Sequence, residues 1–117
     1  MTRGGRANRH RGEVEAVFDG ERRILCLTLG ALAELETAFA VDGLGDLGKR
    51  LASGGLKARD LIAIIGAGLR GGGNAIDDED VAAMGMEGGV AAYAGLVGEL
   101  LTVTFTGGDA PKKADPS

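Results

Sequence analysis

The first apolar pattern along the chain has a period of two. Apolar and acidic residues alternate over residues 13–18, and the dipeptide Asp19-Gly20 follows them. Such a dipeptide between two alternating segments is a strong signal for a two-residue β-turn. We therefore predict a β-hairpin over residues 13–27. Its buried face is expected to consist of Val14, Ala16 and Phe18 on the first strand and Ile24 and Cys26 on the second.

From residue 28 onward the apolar residues recur every three or four positions, which is typical of amphipathic helices. Thr28 is a suitable N-cap for the first helix, and Asp77 with Asp80 three positions later is suited to cap a later one. The apolar stripe of the last helix is predicted to contain Val90, Tyr93, Val97, Leu100 or Leu101, and Phe105. The predicted helical segments are residues 29–39, 44–51, the central 56–71, a short one near 78–86, and 90–105.

These elements predict an α+β fold that is mainly α: an N-terminal β-hairpin followed by a small bundle of four to five short helices. We expect residues 13–106 to form a single small domain. A basic arm, residues 1–12, and a tail, residues 107–117, are predicted to be disordered because neither carries an apolar pattern.

The central segment has two interpretations. Gly66, Gly68 and Gly71 match the spacing of a dinucleotide-binding fingerprint, which would make the protein an enzyme. That site requires a helix directly after the glycines and further parallel strands. A glycine-rich loop follows instead, and no clear strand comes later. The apolar spacing of Leu61, Ile62, Ile65 and Leu69 instead favours a helix that ends at the glycine run.

Composition argues against most other chemistry. Cys26 is the only cysteine and His10 the only histidine, so neither a disulfide nor a Cys/His zinc site is expected. The acids at 77–80 are contiguous and lack the spacing of a calcium loop. We therefore expect no catalytic residues, no cofactor and no metal. No run of about 20 apolar residues is present, so no membrane span is expected.

Charge argues against a nucleic-acid partner. The arm is arginine-rich, but residues 13–106 contain 15 acids and 7 bases, and such a body repels a phosphate backbone. The 22 glycines and an aromatic content of 3% predict a core of small aliphatic side chains. A small helical domain of this kind commonly gains stability from a protein partner, including another copy of itself.

Three segments, taken in order, resemble a known family: residues 9–14 (RHRGEV), 27–36 (LTLGALAELE) and 65–73 (IGAGLRGGG). They are similar to the small tail-gene proteins of bacterial gene transfer agents and related siphophages. The resemblance covers residues 8–105. Members are described either as tail tube proteins or as tail assembly chaperones, and the family has no catalytic residues to carry over.

The resemblance implies a virion assembly role, and the helical pattern favours a chaperone over a mainly β tube subunit. Such a chaperone would bind the tape measure protein, or other tail proteins, in the bacterial cytoplasm while the particle assembles. A tube subunit would instead remain in the particle tail. The candidate partner-binding residues are Leu61, Ile65, Leu69, Val97 and Leu101, which the core of the domain could equally require.

Overall fold

A two-stranded antiparallel sheet and five helices make up residues 7–106, the part of the chain that the structure, a computed structural model, describes. This confirms the predicted fold class. The strands are β1 (Glu13–Phe18) and β2 (Glu21–Cys26). The helices are α1 (Leu29–Ala38), α2 (Leu44–Ala52), α3 (Ala58–Gly71), α4 (Asp78–Ala83) and α5 (Gly89–Phe105).

The hairpin closes on the predicted turn, because Asp19 and Gly20 both have positive φ (51° and 81°), as a type I′ turn requires. The turn pairs Val14 with Leu25 and Ala16 with Arg23. The prediction that Ile24 and Cys26 form the buried face of β2 is therefore wrong, because the buried positions are shifted by one residue. Leu25 and Leu27 are buried beneath the first strand's apolar face, whereas Ile24 and Cys26 are only half-buried.

A charged residue shares this inner face of β2. Arg23 lies beside Ala16, and its guanidinium donates to Asn74 Oδ1 at 3.1 Å and to Glu21 Oε1 at 2.7 Å. Its Nε atom is buried without a hydrogen-bond partner among the described residues. This arginine interrupts the apolar alternation of β2, which is why the sequence pattern indicated the opposite face.

The helix starts follow the predicted caps. Thr28 Oγ1 accepts from the Ala31 N–H at 3.1 Å, and Asp77 and Asp80 form a reciprocal capping box at the start of α4. Helix α4 ends earlier than predicted, at Ala83. The reciprocal box satisfies two N–H groups that have no partner inside the helix, which lets a helix of six residues persist.

The buried face of α5 differs from the predicted stripe. Leu96, Val97, Leu100 and Val103 are buried, whereas Val90 and Phe105 are 75% and 43% exposed. The helix also continues through its β-branched residues to Phe105 without fraying. Since α5 is apolar on all sides, its periodicity does not identify the face that packs on the domain.

Helix α3 lies at the centre of the fold and contacts β2, α1, α4 and α5. It contributes the fully buried Ile64, Ile65 and Leu69 to the core. The remaining core residues are aliphatic apart from Phe18, as the composition predicted. The central segment is therefore a helix that packs against four other elements of the fold.

Part of the predicted disordered arm is structured. Arg9–Arg11 form a short 3₁₀ helix with Asn8 as its N-cap and Gly12, which has a φ of 79°, as its C-cap. Arg9 forms an ion pair with Glu99 of α5. The rest of the arm, residues 1–6, and the predicted tail, residues 107–117, lie outside the described residues.

Candidate interaction surface

The glycines of the fingerprint-like segment lie inside α3 or at its end, and packing accounts for them. A Cβ at Gly71 would overlap the Cys26 carbonyl oxygen, and one at Gly72 would overlap that of Ile24. A Cβ at Gly68 would lie 2.9 Å from Leu100 Cδ2. These glycines let α3 approach β2 and α5 closely. They do not form the strand-to-helix turn on which a dinucleotide pyrophosphate binds.

An open apolar groove of about 360 Å³ lies beside α3, where α4 and the start of α5 form its other wall. We call it the α3–α4 groove. Leu61 and Ile62 are half-buried in it, and Val90 of α5 is its most exposed large side chain, at 75%. Its lining residues are Leu56, Ala58, Leu61, Ile62, Ile65, Val81, Ala82, Met84, Val90 and Tyr93.

Hydrogen bonds hold the walls of this groove in place. The Tyr93 hydroxyl donates to the Met84 carbonyl at 2.8 Å, which ties α5 to the end of α4. The Tyr93 ring also lies 6.5 Å from the Phe18 ring of β1, centroid to centroid. Since aromatic pairs at this separation attract each other, Tyr93 links the groove to the core. The groove is therefore largely formed before any partner binds.

Arg70, near the end of α3, connects three helices. Its guanidinium donates to Glu34 of α1 at 2.7 Å, to Asp78 of α4 at 3.1 Å and to the Ile76 carbonyl at 3.0 Å. The hydrogen bond to Glu34 is the main cause that raises the Arg70 pKa, and Asp78 adds to it. This network links α4 to α1 and α3.

The cysteine is poorly placed for nucleophilic chemistry. Burial raises the pKa of the Cys26 thiol, the Glu13 carboxylate raises it further, and Arg11 lowers it in part. The Cys26 Sγ lies 3.7 Å from the Arg11 carbonyl oxygen. A reactive cysteine needs a lowered thiol pKa, whereas the surroundings of Cys26 raise its pKa.

Within residues 7–106, no cluster of three or more His, Cys, Asp or Glu side chains has the geometry to hold a metal ion. In the same part of the chain, no helix combines the length and apolar character that crossing a bilayer requires.

The five sequence-predicted partner residues occupy different places. Leu61 and Ile65 both line the α3–α4 groove, although Ile65 is only 1% exposed. Leu69 and Val97 are buried in the core. Leu101 is half-buried and lines a second groove, between α2 and α5. The structure thus brings two of the five together at one open surface.

Sequence reasoning missed the second wall of the groove. The sequence pattern places Val81 and Met84 only in a short capped helix, and Val90 and Tyr93 only in the predicted apolar stripe of α5. No local signal marks them as one surface, because the wall forms only when α5 packs back against α4.

Comparison with protein families gives a match over most of the chain. The family model described as "Phage tail tube protein, GTA-gp10" matches residues 11–107. Comparisons with curated proteins and with solved structures give no match.

Proposed function

Because the chain belongs to the family of phage tail tube proteins described as GTA-gp10, whose role lies in tail structure or assembly, we propose that it is a tail assembly chaperone. It binds an apolar helical segment of the tape measure protein in the α3–α4 groove. It acts in the bacterial cytoplasm while the particle assembles, and it performs no catalysis.

The observation that carries this proposal is the open groove itself. It is apolar, helical on both walls and about 360 Å³ in volume. Grooves of this kind bind an amphipathic helix whose anchors recur at i, i+3, i+4 and i+7. Leu61, Ile62 and Val90 would contact those anchors, and the deeper Ile65 would form the floor. Burying these half-exposed side chains supplies the hydrophobic part of the binding energy.

The charge along α4 indicates which kind of partner helix the α3–α4 groove can bind. Glu79 lies one turn before the groove residue Ala82, so both are on the same side of α4. Glu79 is exposed beside the groove. A partner helix with basic residues next to its apolar stripe therefore matches this wall, and an acidic one is repelled.

A structural tail tube subunit is the second candidate, since the family description uses that term. A tube wall built from stacked sheets needs long strands. Of residues 7–106, 12% are in strands and 59% are helical. This content supports a chaperone over a tube subunit.

A pair of variants tests the groove. Ala82→Arg places a large cation at the wall of the groove. The helix should remain folded, because the carboxylate of Asp78, four residues earlier, and the C-terminal end of α4 both interact favourably with a positive charge. Ala33→Arg makes the same change on an exposed face of α1, outside the groove. Each variant is co-expressed with the tape measure protein. We expect the wild-type chain and Ala33→Arg to co-purify with it in a soluble complex, and Ala82→Arg to lose at least 90% of it.

Equal recovery of the complex with both variants would rule out the groove as the binding site. The composition of purified particles separates the two candidate functions. A chaperone is absent from finished particles, whereas a tube subunit is present in many copies. A particle that contains this chain in many copies would therefore overturn the chaperone proposal.

A further inference from the structure

The side of α5 that faces away from the domain carries no charged residue. Seven positions lie within about 60° of Gly98 around the helix axis, and all are exposed or half-buried. We call them the α5 outer face. They are Ala91, Ala94, Gly95, Gly98, Leu101, Thr102 and Phe105. Glu99 is the only charged residue in this 17-residue helix, and it lies at the flank, paired with Arg9.

A helix that is apolar on both its inner and outer sides is normally buried all round. The inner side of α5 is buried by the domain through Leu96, Val97, Leu100 and Val103. The outer side is left in water, and Phe105 at its end is 43% exposed. This is the pattern expected of a helix that packs between its own domain and a second one.

The outer glycines have no role inside one chain. A Cβ at Gly95 or Gly98 would meet no atom within 4 Å. The glycines of α3 differ, because a Cβ at Gly71 would overlap neighbouring backbone. Glycine within a helix lowers stability relative to alanine. Two such residues on an exposed helix therefore cost stability without any compensating contact in the monomer.

A shallow apolar groove of about 320 Å³ extends the outer face toward α2. Gly48, Leu101 and Phe105 contribute to its lining. Leu44, one turn before Gly48 on α2, is 44% exposed. The uncharged surface is therefore wider than one helix at its C-terminal end and narrow at its N-terminal end.

We propose that this surface binds a second copy of the chain, with the two α5 helices antiparallel and a two-fold axis at Gly98. In this arrangement residue i faces residue 196 − i of the other copy. Phe105 then faces Ala91, Leu101 faces Gly95, and Thr102 faces Ala94. Each larger side chain meets a small one, and the two Gly98 backbones meet where the helices cross.

The same face does not fit itself in a parallel arrangement. Parallel packing sets Phe105 against Phe105 and Ala91 against Ala91, which leaves a clash at one end and a void at the other. Antiparallel packing also sets opposite ends of the two helix dipoles side by side. Because a symmetric interface uses one surface twice, the large-to-small matching within this single helix favours another copy over an unrelated partner.

A stable interface in this arrangement has to extend beyond α5 itself. A 17-residue helix is about 25 Å long, and one helix face alone gives less than the roughly 800 Å² per partner of a stable interface. The two-fold axis brings the start of the second copy's α5 beside the end of this α5, next to the groove that Gly48 and Phe105 line. The α2 surface therefore joins the interface at both ends.

Sedimentation equilibrium on the full chain tests this proposal. We expect the wild-type chain to be a dimer and Gly98→Glu to be a monomer, because two carboxylates would meet at the axis. Gly30→Glu, the same change at an exposed glycine of α1, is the control and should remain a dimer. Circular dichroism should show all three chains folded. A monomeric wild-type chain, or a dimeric Gly98→Glu variant, would overturn the proposal.

Cross-linking tests the direction of the helices without requiring Gly98→Glu to fold. In a Cys26→Ser background, Gly98→Cys should form a disulfide-linked dimer on mild oxidation. Ala91→Cys alone should not, since its two copies lie about 21 Å apart along the helices. Mixing Ala91→Cys with Phe105→Cys should restore the cross-link. A self-linked Ala91→Cys dimer would show parallel helices and contradict the proposal.

Discussion

Glycine has two distinct roles in this chain, and the atoms around each residue distinguish them. At Gly72 the backbone of α3 lies so close to β2 that a methyl group would overlap the Ile24 carbonyl oxygen. At Gly45, on α2, a methyl group would meet open space. The first glycine is required by packing, and the second is a site where alanine fits.

We expect Gly72→Ala to lower the free energy of unfolding by about 1–3 kcal/mol or more, because the strand or the helix must move to admit the methyl group. Gly45→Ala should leave it unchanged or raise it by up to about 1 kcal/mol, because alanine favours the helix. Urea denaturation of both variants measures the two changes. Equal stability in the two variants would show that α3 does not contact β2 as described.

At the scale of the element, the hairpin shows how a turn sets which side chains are buried. The two-residue turn pairs Val14 with Leu25. In a strand a shift of one residue exchanges the two faces. Leu25 is therefore fully buried, whereas its neighbour Ile24 is half-buried.

Leu25→Ala is expected to lower the free energy of unfolding by about 2–5 kcal/mol, as is typical for a leucine deleted from a closed core. Ile24→Ala removes a comparable side chain from the opposite face and should cost clearly less. Thermal and urea unfolding of both variants compare the two costs. If Ile24→Ala proved the more harmful change, the register of the hairpin would be wrong.

The sequence could predict the hairpin, the caps and the order of the helices, because each depends on residues close together in the chain. The buried face of β2 was predictable from the turn length, but Arg23 interrupts its apolar alternation. The buried face of α5 was not predictable, because all sides of that helix are apolar. The α3–α4 groove depends on how three helices pack, and no local pattern encodes that arrangement.

At the scale of the whole molecule, the folded unit begins earlier than the predicted domain boundary at residue 13. The Asn8 carbonyl accepts from the Arg11 and Glu13 N–H groups at 2.9 and 3.1 Å. Arg9 joins this end of the chain to α5 through Glu99. A domain boundary predicted from composition does not include these contacts, because composition identifies only a basic segment before the first strand.

A chain that starts at Glu13 should therefore be less stable than one that starts at Ala7. We expect a difference of about 1–2 kcal/mol, since the shorter chain loses several hydrogen bonds and the ion pairs of Arg9 with Glu99 and of Arg11 with Glu13. Urea denaturation of the two truncated chains measures it. Equal stability would mean that residues 7–12 contribute nothing to the fold and would restore the predicted boundary.

The close approach of α3 to β2 also limits how the sheet can grow. Gly71 lies against the Cys26 carbonyl oxygen, and Gly72 lies against that of Ile24. Asn74 Nδ2 also donates to the Ile24 carbonyl at 2.9 Å. No further strand can pair with β2 while they remain there, so at most the edge of β1 is open to strand addition. A continuous ring of strands needs two free edges on every subunit. Two such chains could pair only through their β1 edges, and neither would then have a free edge for a third chain. Sheet polymerisation would therefore stop at a pair.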